Sequence, residues 1–125
     1  DDYDLNNDPK FQSYSNANYE NILGSAKSTV AKWGGKLFFV YLPSYEEVRS
    51  RKRHSKKKFI IDLINKLDIQ LIDFYDQSLS KMLDPLSCFP HPKGFHYNAK
   101  GYLELAKILE SNIIYNSALL LEPHL

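Results

Sequence analysis

The sequence predicts an α/β fold in which a short parallel β-sheet is flanked by helices. Two short apolar runs, at 36–42 and 69–74, have the aromatic and branched composition of buried strands. Apolar residues before, between and after these runs recur at helical spacing. The order strand, helix, strand implies a parallel pair joined by a crossover connection.

The chain divides into three predicted segments. Residues 1–16 are polar, acidic and asparagine-rich, which is typical of an extended lead-in or linker. Residues 17–116 carry the strand and helix patterns of the domain, and the first helix starts near Asn18 and ends at the glycine pair 34–35. Residues 117–125 form an apolar tail that we expect to dock on the body or on a partner.

Composition restricts the classes of partner. A chain of 125 residues forms one domain at most, and its net charge of +1 supplies no global field that would attract nucleic acid or membranes. The single cysteine excludes an internal disulfide framework. No apolar run reaches the roughly 18 to 20 residues of a membrane span. No secretory leader is visible, and the compartment stays open.

The segment 84–97 is the part of the chain richest in reactive groups. It is broken by prolines and a glycine and runs into an amphipathic helix, for which Asn98 is the predicted N-cap. His96 stands at the mouth of this helix, where a loop can aim one ring nitrogen outward. The carboxyl ends of parallel strands share one sheet edge, so we expect residues 43–44 and 73–76 to lie on the same edge as His96.

The motif HYNAKGY at 96–102, followed by an apolar helix, resembles the last conserved block of the SGNH/GDSL hydrolases. The segment FFVYLPS at 38–44 is similar to the strand and Leu-Pro turn that precede that block. The resemblance covers roughly residues 36–110. It implies a three-layer, flavodoxin-like architecture and an ester hydrolase in which His96 is the general base, with residues 17–116 as the C-terminal part of the domain.

Three parts of the family pattern are missing. Lys93 stands three residues before His96, where many members have the aspartate that orients the imidazole. Asp84 is therefore the candidate acid, and the alternatives are Asp73 or Asp76, a backbone carbonyl, or a catalytic dyad. The chain also has neither the Gly-Asp-Ser block of the nucleophile nor the later Gly-x-Asn block.

The resemblance thus implies the C-terminal, histidine-bearing part of a serine ester hydrolase, an acyl or O-acetyl esterase whose nucleophile lies outside this chain. The implied substrates are acylated carbohydrates or lipid esters, with no cofactor and no metal, and we expect the chain alone to be inactive. Two strands form a small sheet, so we also expect an upstream segment or a partner chain to complete it.

Two other interpretations of the histidine loop stay open. One is a non-catalytic, degenerate SGNH-like module that binds a partner or a carbohydrate. The other is a zinc site, because Cys88, His91 and His96 form a C-x2-H-x4-H pattern to which Asp84 can add a fourth ligand.

Ser44 and the basic run at 49–58 have two interpretations each. Ser44 is followed three residues later by Glu47, the capping-box pattern of a helix start, and the Gly-x-Ser-x-Gly elbow of a nucleophile is missing. We therefore predict a helix cap.

The run 49–58 holds seven of the sixteen basic residues. A solvated connector leading into an exposed helical turn is the favoured interpretation, and a phosphate-binding surface is the alternative.

Overall fold

The computed structural model describes residues 8–52, 56–92 and 96–121, with only the backbone of residues 11 and 116–121. It is a mixed α/β structure, mostly helical, with one short parallel sheet. The elements in order are helix α1 (Pro9–Lys32), strand β1 (Phe38–Tyr41), helices α2 (Tyr45–Ser50) and α3 (Lys57–Lys66), strand β2 (Gln70–Asp73), helix α4 (Phe74–Gln77), two 3-10 turns (Leu79–Lys81 and Pro85–Cys88) and helix α5 (Ala99–Leu121).

The predicted parallel pairing of the two apolar runs is confirmed. Phe38 is opposite Gln70 at one end of the register and Tyr41 is opposite Asp73 at the other. The expected burial of the first run on both faces is wrong, because Phe38–Val40 are only half-buried and Tyr41 alone is buried. In the described part of the chain the sheet has these two strands only, and neither face of β1 is fully covered.

Helix α1 begins earlier than the apolar pattern predicted. Asp8 caps it, since its side chain accepts a hydrogen bond from the Lys10 amide (2.8 Å), and Pro9 occupies the first helical turn. An aspartate followed by proline is thus a helix start here, and the extended conformation expected for residues 9–16 is wrong. Residues 1–7 of the predicted lead-in lie outside the described residues. At the other end, Gly34 adopts a left-handed conformation (φ 74°) and ends the helix as predicted.

Polar contacts hold α1 against the rest of the molecule. The Lys27 ammonium donates to the carbonyl oxygens of Leu67 (2.6 Å) and Asp68 (2.9 Å), which follow α3. Lys66 pairs with Glu20 at 2.6 Å. None of the buried residues in the described part of the chain belongs to α1. The helix therefore adds little to the apolar core.

The core lies between α2, α4, the two 3-10 turns and the start of α5. Tyr97, in the loop before α5, is at its centre. Its ring meets Phe74 edge-on, with 5.3 Å between centroids, and packs at a tilt on Phe89 at 4.9 Å. The buried members of this cluster are Val48, Phe74, Leu79, Cys88, Phe89, Tyr97 and Leu105. The loop that carries His96 is thus anchored in the core through its neighbouring residue.

A buried ion pair connects the start of α3 to the end of β2. Lys57 is only 4% exposed, and its Nζ lies 2.9 Å from Oδ2 of the buried Asp73. Asp73 Oδ2 has no hydrogen-bond partner among the described residues, so the attraction is ionic. The other carboxylate oxygen of Asp73 accepts from the amides of Tyr75 (3.0 Å) and Asp76 (3.2 Å) and caps α4. The prediction of a solvated basic run is therefore wrong at Lys57, and residues 53–55 of that run lie outside the described residues.

No helix in the described ranges has both the length and the apolar character needed to cross a bilayer.

Gly101→Ala is expected to destabilise the protein by about 1 to 3 kcal/mol, because α5 packs closely on the 3-10 turn before it. A Cβ at this position would lie 2.7 Å from the Cys88 carbonyl oxygen and 2.7 Å from the Tyr97 Cβ. Gly24→Ala is the matched control, since nothing lies within 4 Å of its added Cβ in the middle of α1. We expect it to stabilise by up to about 1 kcal/mol. Urea unfolding measures both, and equal stability of Gly101→Ala and wild type would contradict the packing.

Lys57→Met is expected to cost about 3 to 5 kcal/mol of unfolding free energy, because it leaves the Asp73 carboxylate buried without its cation. Asp73→Asn keeps an oxygen that can cap α4. The double variant Lys57→Met/Asp73→Asn should therefore recover part of the loss, as a double-mutant cycle in urea unfolding will show. Strictly additive losses would mean that the two side chains do not depend on each other.

Candidate functional site

His96 lines a cavity of about 240 Å³ between the turn after β1 and the start of α5. We call it the His96 cavity. Its walls are Leu42, Pro43, Ser44, Glu47, His96, Tyr97 and Tyr102. The expectation that residues 43–44 and 73–76 share an edge with His96 is confirmed for 43–44, whereas none of residues 73–76 lines this cavity. His96 itself is exposed. The catalytic role of His96 stays a prediction.

The two residues after His96 hold the loop in place. The Tyr97 hydroxyl donates to the buried Pro43 carbonyl oxygen at 2.6 Å and ties the loop to the end of β1. Asn98 is the N-cap of α5 as predicted, because its Oδ1 accepts from the Gly101 amide at 3.0 Å. Its Nδ2 donates to the Ser87 carbonyl oxygen at 2.7 Å. The backbone directly after His96 is therefore fixed by these hydrogen bonds, while the His96 side chain is exposed.

The capping box predicted at Ser44 is present. Ser44 Oγ accepts from the Glu47 amide at 3.3 Å, and Glu47 Oε2 accepts from the Ser44 amide at 2.9 Å. This supports the interpretation of Ser44 as the cap of α2. Glu47 has a second contact, since its Oε1 accepts from the Tyr41 hydroxyl at 2.6 Å.

Glu47 is the carboxylate that shares the cavity with His96, and sequence reasoning assigned it only a capping role. The sequence feature that could have indicated this wall position is the place of Glu47 at the third residue of a helix that starts directly after the Leu-Pro turn. That position points its side chain back toward the carboxyl end of the strand. A glutamate there contributes to the helix cap and to the wall of the site together.

Asp84 is not among the residues that line the His96 cavity. It is exposed and precedes the 3-10 turn at Pro85–Cys88, where its carbonyl oxygen accepts from the Ser87 hydroxyl at 2.7 Å. Its role as the orienting acid stays a prediction. Lys93, which replaces the expected aspartate, lies outside the described residues.

The zinc interpretation of the loop gains no support from the described residues. Cys88 is fully buried, with its sulfur 3.8 Å from that of Met82, whereas His91 and His96 are exposed. Burial raises the pKa of the Cys88 thiol, which disfavours the thiolate that binds zinc. The described part of the chain contains no group of three His, Cys, Asp or Glu side chains arranged to hold a metal ion.

Two tyrosine hydroxyls next to Glu47 are held in the neutral form. The pKa of Tyr97 is raised mainly by burial and then by the negative charge of Glu47. The pKa of Tyr41 is raised by burial and by its hydrogen bond to Glu47. Both phenols therefore remain hydrogen-bond donors at any physiological pH, one to Pro43 and one to Glu47.

Comparison of the chain with protein-family models, curated proteins and solved structures finds no match. The residues and contacts of the site are therefore the basis for inferring its function.

Stability is expected to fall as the pH rises above about 10, because the unfolded state then loses phenol protons that Tyr41 and Tyr97 retain when folded. The folded state binds more protons in this range, so alkaline pH favours unfolding. Tyr97→Phe removes one of the two groups and should make the decline shallower, by up to about 1.4 kcal/mol per pH unit. Urea unfolding at pH 8, 9, 10 and 11 measures the slope. Identical slopes in wild type, Tyr97→Phe and Tyr41→Phe would contradict this origin.

Proposed function

We propose that this chain is the C-terminal, histidine-bearing part of a serine ester hydrolase, an acyl or O-acetyl esterase of SGNH/GDSL type. The observation that carries the proposal is the His96 cavity, where an accessible imidazole lies beside the Leu-Pro-Ser turn at the carboxyl end of β1. A three-layer, flavodoxin-like architecture is part of the same proposal. The two parallel strands and α5 would be its C-terminal portion.

In this proposal His96 moves protons. A serine hydroxyl is a weak nucleophile at neutral pH until an imidazole accepts its proton. His96 would accept that proton as the serine attacks the ester carbonyl, and would then return it to the departing alcohol. The serine and the donors that stabilise the oxyanion would come from a segment outside this chain, since the nucleophile motif is missing here.

Glu47 is the carboxylate that we favour as the electrostatic partner of His96. Hydrogen bonds from the Tyr41 hydroxyl and the Ser44 amide fix its position in the cavity wall. A negative charge held there would stabilise the imidazolium that forms when the serine loses its proton. Asp84 remains the alternative acid, although it does not line this cavity.

A non-catalytic carbohydrate-binding module is the second candidate. Tyr102 is 49% exposed and forms part of the cavity wall beside His96. Exposed aromatic faces of this kind offer an apolar surface for a sugar ring, while His96 and Glu47 offer hydrogen bonds. The missing Gly-Asp-Ser block also favours binding without catalysis.

Hydrolysis of p-nitrophenyl acetate tests the proposal, with the 125-residue chain compared with the same chain extended upstream in its native reading frame. We expect the short chain to be inactive and the extended chain to turn over. His96→Ala should lower that rate by about 100-fold or more, as expected for loss of a general base. His91→Ala is the matched control, an exposed histidine of the same loop that does not line the cavity, and should leave the rate unchanged.

The same assay distinguishes the other possibilities. A lower rate in Glu47→Gln but not in Asp84→Asn would identify Glu47 as the acid. Turnover by the short chain alone would show that the nucleophile is internal, with Ser44 and Ser87 as the candidates. An extended chain that stays inactive would favour the binding module.

A further inference from the structure

A second, smaller cavity adjoins the His96 cavity. It has a volume of about 90 Å³, and we call it the basic cavity. Pro43 and Glu47 line both cavities, so the two are neighbours on the same sheet edge. A water molecule takes up about 30 Å³ in the liquid, so this space admits a small polyatomic group such as a carboxylate or a phosphate. The other wall residues of the basic cavity are Arg51, Lys52, Lys57, Tyr75 and Asp76.

Three cations line this small space. Arg51 ends α2 in a left-handed conformation (φ 54°), and both Arg51 and Lys52 are exposed. Neither side chain meets a carboxylate of the described residues within ion-pairing distance, whereas Arg49 on the same helix is paired with Glu46. Arg51 and Lys52 are adjacent, and neither is paired with a carboxylate of the described residues. The planar guanidinium and the compact ammonium are the two kinds of cation that oxyanions bind.

Lys57 forms the rigid inner part of the wall. Its ammonium is held by Asp73 at 2.9 Å and lies 4.7 Å from the centre of the Tyr41 ring. Because its charge is balanced by Asp73, it contributes a fixed donor and little net field. Arg51 and Lys52 therefore supply the attraction for an anion.

Two carboxylates set a limit on the charge of the ligand. Glu47, which accepts hydrogen bonds from Tyr41 and Ser44, and the exposed Asp76 both line the cavity, and both carry a negative charge. The Asp76 charge opposes a second negative charge nearby. The cavity thus suits a ligand with one anionic group. Hydroxyls beside that group can donate hydrogen bonds to Asp76.

We propose that the basic cavity is a binding site for a single carboxylate or phosphate group, carried by a ligand that extends into the His96 cavity. Anion binding itself stands independently of the hydrolase. The proposed function suggests that the ligand is the ester substrate, and this identification rests on that function. The substrate would then carry its anionic group beside the reacting ester.

Titration of the 125-residue chain with acetate and with inorganic phosphate, followed by amide chemical shifts at low salt, tests the site. We expect shifts centred on residues 51–52 and 75–76. Arg51→Gln should weaken binding about tenfold, the loss expected for one charge-assisted contact. Arg49→Gln removes the same charge two residues away, outside the cavity, and should leave the affinity within about twofold. Asp76→Asn should tighten binding several-fold, because it removes the opposing charge.

The outcomes are decisive in both directions. Equal losses of anion affinity in Arg49→Gln and Arg51→Gln would mean general attraction to a basic surface and would overturn the site. Unchanged or weaker anion binding in Asp76→Asn would also overturn it. Glucuronate and glycerol phosphate then distinguish a carboxylate source from a phosphate source by their relative affinities. Anion binding without ester turnover in the extended chain would retain the site and reject the hydrolase. Ester turnover that is unchanged by Arg51→Gln, together with no anion binding, would retain the hydrolase and reject the site.

Discussion

The buried pair of Lys57 and Asp73 connects several elements of this structure. Lys57 opens α3, and Asp73 both closes β2 and caps α4. The ammonium also lies over the ring of Tyr41 at the end of β1. Four elements thus meet at one ionic contact, and a lysine at a helix start, normally disfavoured by the helix dipole, is tolerated because an aspartate is fixed opposite it. Lys57 of this pair also forms the inner wall of the basic cavity.

Local sequence signals predicted much of this arrangement. The two strand runs, the capping box at Ser44, the cap at Asn98 and the stop at Gly34 each depend on a few adjacent residues, and each is present. The parallel pairing followed from the order strand, helix, strand. The start of α1 was missed because the apolar pattern begins after Asn18, while the start itself is set by the Asp8-Pro9 pair. Residues 9–17 are mostly polar, so apolar periodicity did not assign them to the helix.

Features that depend on distant partners were not accessible from the sequence. Lys57 is one of a run of cations, and nothing near it indicates that it alone is buried; its partner is sixteen positions away on another element. Glu47 reads as half of a capping box, and only the approach of the Tyr97 loop to Pro43 places it in a cavity with His96. The family resemblance directed attention to the acid of the loop, Asp84, because it compares positions along the chain. In the folded chain Glu47 lines the cavity with His96 and Asp84 does not, while the role of Asp84 stays a prediction.

The polar attachment of α1 has a consequence for how the molecule comes apart. This helix of 24 residues contributes none of the described buried residues and is held by a lysine on two carbonyl oxygens and by exposed ion pairs. Its apolar residues Leu23, Ala26 and Val30 are only half-buried, so its release would uncover less apolar surface than opening of the core. We expect the helix to open as a separate unit of lower stability, with opening that added salt promotes and that leaves the His96 cavity assembled.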